Sequence, residues 1–203
     1  MSDIVRIVAV WAIAALVTAC SAAGVLATDN PSQKLNDAVF LFDDQGRPLR
    51  AEPLIVEAMN QYKASGDALG LANSYRVYGL FFRSRSLGQN GYPGHYREKG
   101  FIDPVATYDT RYDRSLYYFA LAAGIYQSAG REDYLSNVYF HMGDVYVLKG
   151  DKVTACQYYD KSLAANSEFR ASHPGSEVEG AGAKTYEQRV AGAKQYAGCP
   201  PTA

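Results

Sequence analysis

The chain has 203 residues and a formal net charge of −1. That length supports one domain with a buried core, and the near-zero charge excludes a general attraction to nucleic acid or to an anionic surface. Aromatic content is skewed to 17 Tyr against 8 Phe and 1 Trp; tyrosine serves helix-packed cores and recognition surfaces alike, and packing accounts for most of them.

The chain opens on a targeting segment. Arg6 precedes an apolar run over residues 7–17, too short for a comfortable membrane span and of the length of a signal-peptide core. It ends in Val17, Thr18, Ala19 and Cys20. These residues resemble the lipobox of bacterial lipoproteins, in which small residues precede a cysteine that becomes the lipidated first residue of the mature chain. The resemblance implies a signal peptide over 1–19, a lipid on Cys20 and anchorage to the bacterial cell envelope. Ser21, rather than Asp, after the cysteine implies the outer membrane, with the domain facing the periplasm. Asp3 offsets Arg6, so cleavage near Ala23 or Ala27 and an uncleaved anchor stand as alternatives. Residues 20–33, rich in Ala, Ser and Thr, read as the lipidated cysteine and a flexible tether to a domain over 34–203.

Residues 31–42 place Leu35, Ala38, Val39 and Phe42 on one helical face, and 43–48 read as a turn. Pro53 suits the first turn of a helix running to Ser65, with Leu54, Ala58, Met59 and Tyr62 inward. Gly66 and Asp67 break it, and a second helix covers 69–85. Residues 86–104 hold Gly88, Gly91, Gly94, Gly100 and Pro93 among Tyr92, Tyr96 and Phe101, and read as an irregular insertion. Asp103 and Pro104 announce the next helix, over 111–128, with Ser115, Phe119 and Ala122 inward.

The firmest stretch is 134–167. Tyr139, Met142, Gly143 and Tyr146 stand at i, i+3, i+4 and i+7 of one helix; Ala155, Tyr159 and Ser162 stand at i, i+4 and i+7 of the next. Gly150 stops the first and Asp151 caps the second. Neither stripe can be buried alone, so the two helices face each other, closest at Gly143 and Ala155. A polar loop with a turn at His173, Pro174 and Gly175 follows. A last helix over about 178–196 carries a stripe of Ala183, Tyr186, Val190, Ala193 and Ala197 and reads as a terminal cap.

The chain also repeats itself. A shift of 64 residues carries Ala58, Tyr62, Gly66, Asn73, Tyr75, Gly79 and Phe82 onto Ala122, Tyr126, Gly130, Asn137, Tyr139, Gly143 and Tyr146 without a gap. That is one helical-hairpin step plus an insertion, or two steps less a few residues. The series Tyr139, Met142, Gly143, Tyr146, Ala155, Tyr159 and Ser162 resembles the tetratricopeptide repeat, departing at Ser167, where that family often has Pro. The resemblance covers 113–166 well and 54–86 moderately. It implies an all-α fold, a short right-handed α-solenoid of two to three helical hairpins with a C-terminal capping helix. In the family the first helix of each repeat lines a concave groove. Carried over, the lining residues are Asn137, Phe140, Asp144 and Val147, and by the shift Asn73, Arg76, Leu80 and Arg83. Two Arg and an Asn could grip a carboxylate or an acidic segment; alternatively Arg76 and Arg83 are solvated or paired with neighbours. Tyr92 and Tyr96 of the insertion could add aromatic anchors.

Two cysteines besides Cys20 permit a disulfide in an exported chain. Cys156 lies near the start of its helix, and an antiparallel last helix would return Cys199 to the same place. The expectation is a Cys156–Cys199 bridge, the alternative a buried free Cys156 and a loose Cys199. His95, His141 and His173 share no metal-ligand spacing with cysteines or a carboxylate pair, and no nucleophile elbow or phosphate loop is present. Glu132 and Asp133 fit the first turn of a helix better than an acid–base pair. His95 is the one histidine in a candidate binding loop.

The sequence therefore implies a non-enzymatic protein without cofactor or metal. Its expected role is an adaptor or scaffold lipoprotein that holds an envelope protein or peptide in its groove and the membrane through its lipid. The alternatives are an immunity lipoprotein that plugs a toxic effector with the loop at 88–101, and a glycan-binding lipoprotein with a tyrosine-rich site.

Overall fold

A computed structural model describes residues 27–176 and 185–200. The expected signal peptide and the lipidation at Cys20 lie outside the described residues, as do Ala183 and the start expected for the last helix.

Among the described residues the chain is all-helical, with eight α-helices. Helix α1 (Pro31–Val39) starts where Asn30 accepts the backbone N–H groups of Ser32 and Gln33 through Oδ1, at 2.9 and 3.2 Å, with Pro31 in the first helical position. The expected tether therefore ends at Asn30. One π-helical turn, Phe40–Asp44, prolongs α1 through the start of the expected turn and buries Leu41 and Phe42.

Helix α2 (Pro48–Ser65) begins earlier than Pro53 suggests. Pro48 takes the first position, and Pro53 sits inside the helix with its ring exposed. It withholds only the bond to the Leu49 carbonyl, while the added turn buries Ala51 and Glu52. Gly66 closes α2 in the left-handed conformation, at φ 72°. Asp67 caps α3 (Ala68–Arg83) by accepting the Gly70 N–H at 2.8 Å.

The insertion is not irregular. A 3₁₀ turn (Arg85–Gly88) leads to α4 (Tyr92–Lys99), and Leu87, Tyr96 and Phe101 are buried against Phe81 and Phe82 of α3. Gly91 and Gly100, at positive φ, bound α4, and Gly94 lies within it. Helix α5 (Arg111–Ser128) keeps its expected bounds. Helices α6 (Glu132–Leu148) and α7 (Lys152–Ser172) form the expected hairpin, α7 running past Ser167. Thr185 and Gln188 form a capping box for α8 (Tyr186–Ala197).

Helix α1 packs on α2, α3 on α5, and α6 on α7; α2–α3, α5–α6 and α7–α8 join these pairs in series. The core follows the same series as three apolar clusters, with Tyr75 and Leu80 shared between the first two. The two copies of the repeat make the same close contact. A Cβ on Gly79 would lie 2.7 Å from the Phe119 ring, and one on Gly143 would lie 2.6 Å from the Tyr159 ring. So the shift of 64 joins equivalent steps, and the insertion falls inside the first hairpin, between α3 and α5.

Cys156 and Cys199 are bonded, with Cα atoms 5.7 Å apart. The bridge ties the end of α8 to the start of α7. Val190, Ala197 and Tyr186 of α8 pack with Phe140, Ala155 and Tyr159, so α8 covers the exposed end of the last hairpin. No helix among the described residues is long and apolar enough to cross a membrane.

Candidate functional site

Helices α3 and α6 bring two of the expected groove residues together. Arg83, in the last turn of α3, reaches Asp144 of α6 with Nη1 3.4 Å from Oδ2. Its Nη2 donates to His141 Nδ1 at 2.9 Å. Tyr159 of α7 donates its O–H to the other Asp144 oxygen at 2.9 Å. Because arginine only donates, His141 Nδ1 is the bare nitrogen and Nε2 carries the proton. The ring stacks on Phe119, centroids 5.9 Å apart.

The electrostatics follow from that packing. Burial and then the Arg83 charge push His141 down to about 3, so it is neutral at physiological pH although Asp144 is near. Burial alone would raise the Asp144 carboxyl. The Arg83 charge and the Tyr159 hydroxyl outweigh that and hold it below the ordinary range. Burial lowers Arg83, opposed by Asp144 and by Asp43 from the end of the π turn. Arg189 of α8 lies near enough to Arg83 to repel it, and its guanidinium covers the Phe140 ring at 4.1 Å. One polar seam thus draws on the π turn, α3, α6, α7 and α8, and Arg83 Nε is buried there without a hydrogen-bond partner among the described residues.

Arg76, two turns before Arg83, is held differently. Its Nε and Nη2 both donate to Asn73 Oδ1, at 3.1 and 2.8 Å. It also lies close enough to Tyr126 and His141 for its charge to act on both. Among the described residues no carboxylate pairs with it. Asn137 is occupied with the Asp133 carbonyl at 3.1 Å.

Other expected contacts are not available. Phe140 is 7% exposed, shut between Tyr159 and Arg189 by the cap helix. Leu80 packs against two core clusters, and Val147 packs against the third. Tyr96 is 2% exposed and stacks on Phe101 at 4.2 Å, while Tyr92 leans on the same cluster. The aromatics of the insertion are therefore core and not a free recognition edge. His95 is exposed, edge-on to Tyr96.

His141, Tyr159 and Arg189 did not stand out as site residues in the sequence. A signal exists for the first. The shift of 64 pairs His141 with Val77 and Asp144 with Leu80, so the second copy is polar where the first is apolar. The one bare nitrogen of His141 is taken by Arg83, which leaves no free base. No group of three or more His, Cys, Asp or Glu among the described residues is placed to hold a metal ion.

Compared with known protein families, with curated proteins and with solved structures, the chain has no match.

Proposed function

We propose that this chain is a non-catalytic adaptor lipoprotein of the bacterial cell envelope, a short tetratricopeptide-like solenoid that holds an acidic segment of another envelope protein on the face shared by α3 and α6. The observation that carries this reading is Arg76, a half-buried guanidinium oriented by Asn73 and left without a carboxylate among the described residues. A rigid planar donor fork with open N–H groups suits a carboxylate. Asp144 on α6 is already engaged by Arg83.

The solenoid reading is supported by helix pairs stacked in series and by the matched Gly79–Phe119 and Gly143–Tyr159 contacts. Envelope location is supported by the lipobox-like residues ending at Cys20 and by the disulfide, which suits an oxidising compartment. An immunity role through the insertion would need its aromatics outside, and Tyr96 is inside.

The test is capture from solubilised envelopes, comparing wild type with Arg76→Glu and Arg76→Lys. A defined partner should be held by wild type, weakened by Lys and lost with Glu, and its acidic segment, made as a peptide, should compete. A partner held equally by all three would move the site away from Arg76. Arg83 is a poor probe, because Arg83→Glu would face Asp144 and disturb the fold itself.

A further inference from the structure

Glu52 is a carboxyl group buried at a four-way junction, 4% exposed. It lies in the early part of α2. Its Oε1 accepts the Tyr78 O–H of α3 at 2.8 Å and the backbone N–H of Ile102 at 2.9 Å. Segment 100–106 of the insertion is thus fastened to α2 through this oxygen. The next residue, Asp103, is a second buried carboxylate and a repulsive neighbour of Glu52. Asp103 has its own partners on α5. Arg114 donates to Oδ2 twice, at 2.8 and 2.5 Å, and Tyr118 donates to it at 3.0 Å. Tyr96 of α4 faces the same junction, its O–H buried without a partner among the described residues. So the only cation of the cluster is committed to Asp103, and no Lys or Arg pairs with Glu52 among the described residues.

Above the fastening lies an aromatic stack. Phe101 stands 5.0 Å from Phe82, 6.2 Å from Phe81 and 4.2 Å from Tyr96, all centroid to centroid. Those rings hold the segment by apolar contact and are what its departure would uncover.

We propose that segment 100–106 is a proton-gated strap, closed while Glu52 is protonated and released from Phe81 and Phe82 when Glu52 ionises. A neutral carboxyl keeps an acceptor oxygen for Tyr78 and Ile102 and adds no charge to the buried site. An ionised one places an unpaired negative charge there, beside Asp103. Burial, only partly offset by the bonds from Tyr78 and Ile102, brings the carboxyl up to about 7.

Amide hydrogen exchange of the full-length protein, corrected for the intrinsic pH dependence of exchange, tests this. With Glu52 at about 7 when closed and at its ordinary 4.5 when open, strap opening should rise roughly fortyfold from pH 5 to pH 7 and by only about a further twofold above. Amides of α6 and α7 should not follow, and Glu52→Gln should abolish the rise. A flat response in wild type, an equal rise in Glu52→Gln, or a parallel rise in α6 and α7 would overturn the strap. Should Glu52→Gln not fold, the carboxyl carbon resonance of Glu52 in wild type decides the matter: titration at the ordinary glutamate value removes the gate.

Discussion

Glu52 and Asp144 each accept a hydrogen bond from a buried tyrosine, Tyr78 at 2.8 Å and Tyr159 at 2.9 Å. Their protonation behaviour is nonetheless opposite. Glu52 is carried up to about 7, while Asp144 is held below the ordinary carboxylate range. The difference is the position of the cation. Arg83 lies directly on Asp144, whereas Arg114 serves Asp103 and leaves Glu52 with neutral donors and a like charge. A tyrosine hydroxyl does not by itself fix a carboxylate's state; the nearest full charge does.

The largest effect that probes this contrast comes from His141. It stays neutral in the fold down to about 3, whereas its ordinary value is 6.5. The unfolded chain therefore binds the extra proton between those values, and stability falls as pH drops through that window, by about 5 kcal/mol in all. His141→Gln, which keeps an acceptor for Arg83, should remove most of that loss in acid denaturation curves. An unchanged acid limb would mean that the fold does not hold His141 buried and neutral.

Breaking the disulfide comes next. Cys156→Ser closes no loop across 43 residues, and the chain-entropy model gives about 4 kcal/mol for that loop. The loss should be concentrated in α8, so exchange protection should collapse at Val190 and Ala197 before it does at Val77. Uniform loss would mean that α8 is not a separable cap.

Glu52 gives the converse of His141. Its proton is bound by the fold between 4.5 and about 7, so stability declines as pH rises through that interval, by about 3 kcal/mol. Between 4.5 and 6.5 the two slopes oppose each other. Wild-type stability should be nearly flat there, rising with pH in Glu52→Gln and falling with pH in His141→Gln. Variants with parallel slopes would contradict the comparison. Smaller still is Gly143→Ala, whose new Cβ meets the Tyr159 ring at 2.6 Å. Forcing that ring aside should cost about 2 kcal/mol and loosen the hydroxyl from Asp144. Gly79→Ala, with its clash on Phe119 at 2.7 Å, should cost a similar amount and, because His141 stacks on that ring, should also soften the acid limb.

The hairpin of α6 and α7 was legible because each stripe needed the other, and Gly143 marked where their backbones meet. The pairing of Cys156 with Cys199 followed from the same geometry. Pro53 misled because the helix starts one turn earlier, at Pro48, and tolerates in its second turn a proline that forgoes the bond to the Leu49 carbonyl. The insertion misled because Gly91 and Gly100 only bound a short helix that tolerates Gly94, while Leu87, Tyr96 and Phe101, too few to show a period, fill a core supplied by α3. Arg83 and Asp144 lay on the expected stripes, but their mutual engagement depends on how α3 and α6 meet across the chain. Glu52 could not be found from its neighbours in sequence, since its burial is decided by a segment about fifty residues away.

The place of the insertion also shapes the order in which the molecule assembles. The α6–α7 hairpin closes through residues 149–151, but α3 and α5 must meet across residues 84–110. In a flexible chain the longer closure costs about 2 kcal/mol more in entropy, before any contact between Gly79 and Phe119 repays it. The expected order is therefore the α6–α7 pair first and the α3–α5 pair, although synthesised earlier, after it, which residue-by-residue folding kinetics would check.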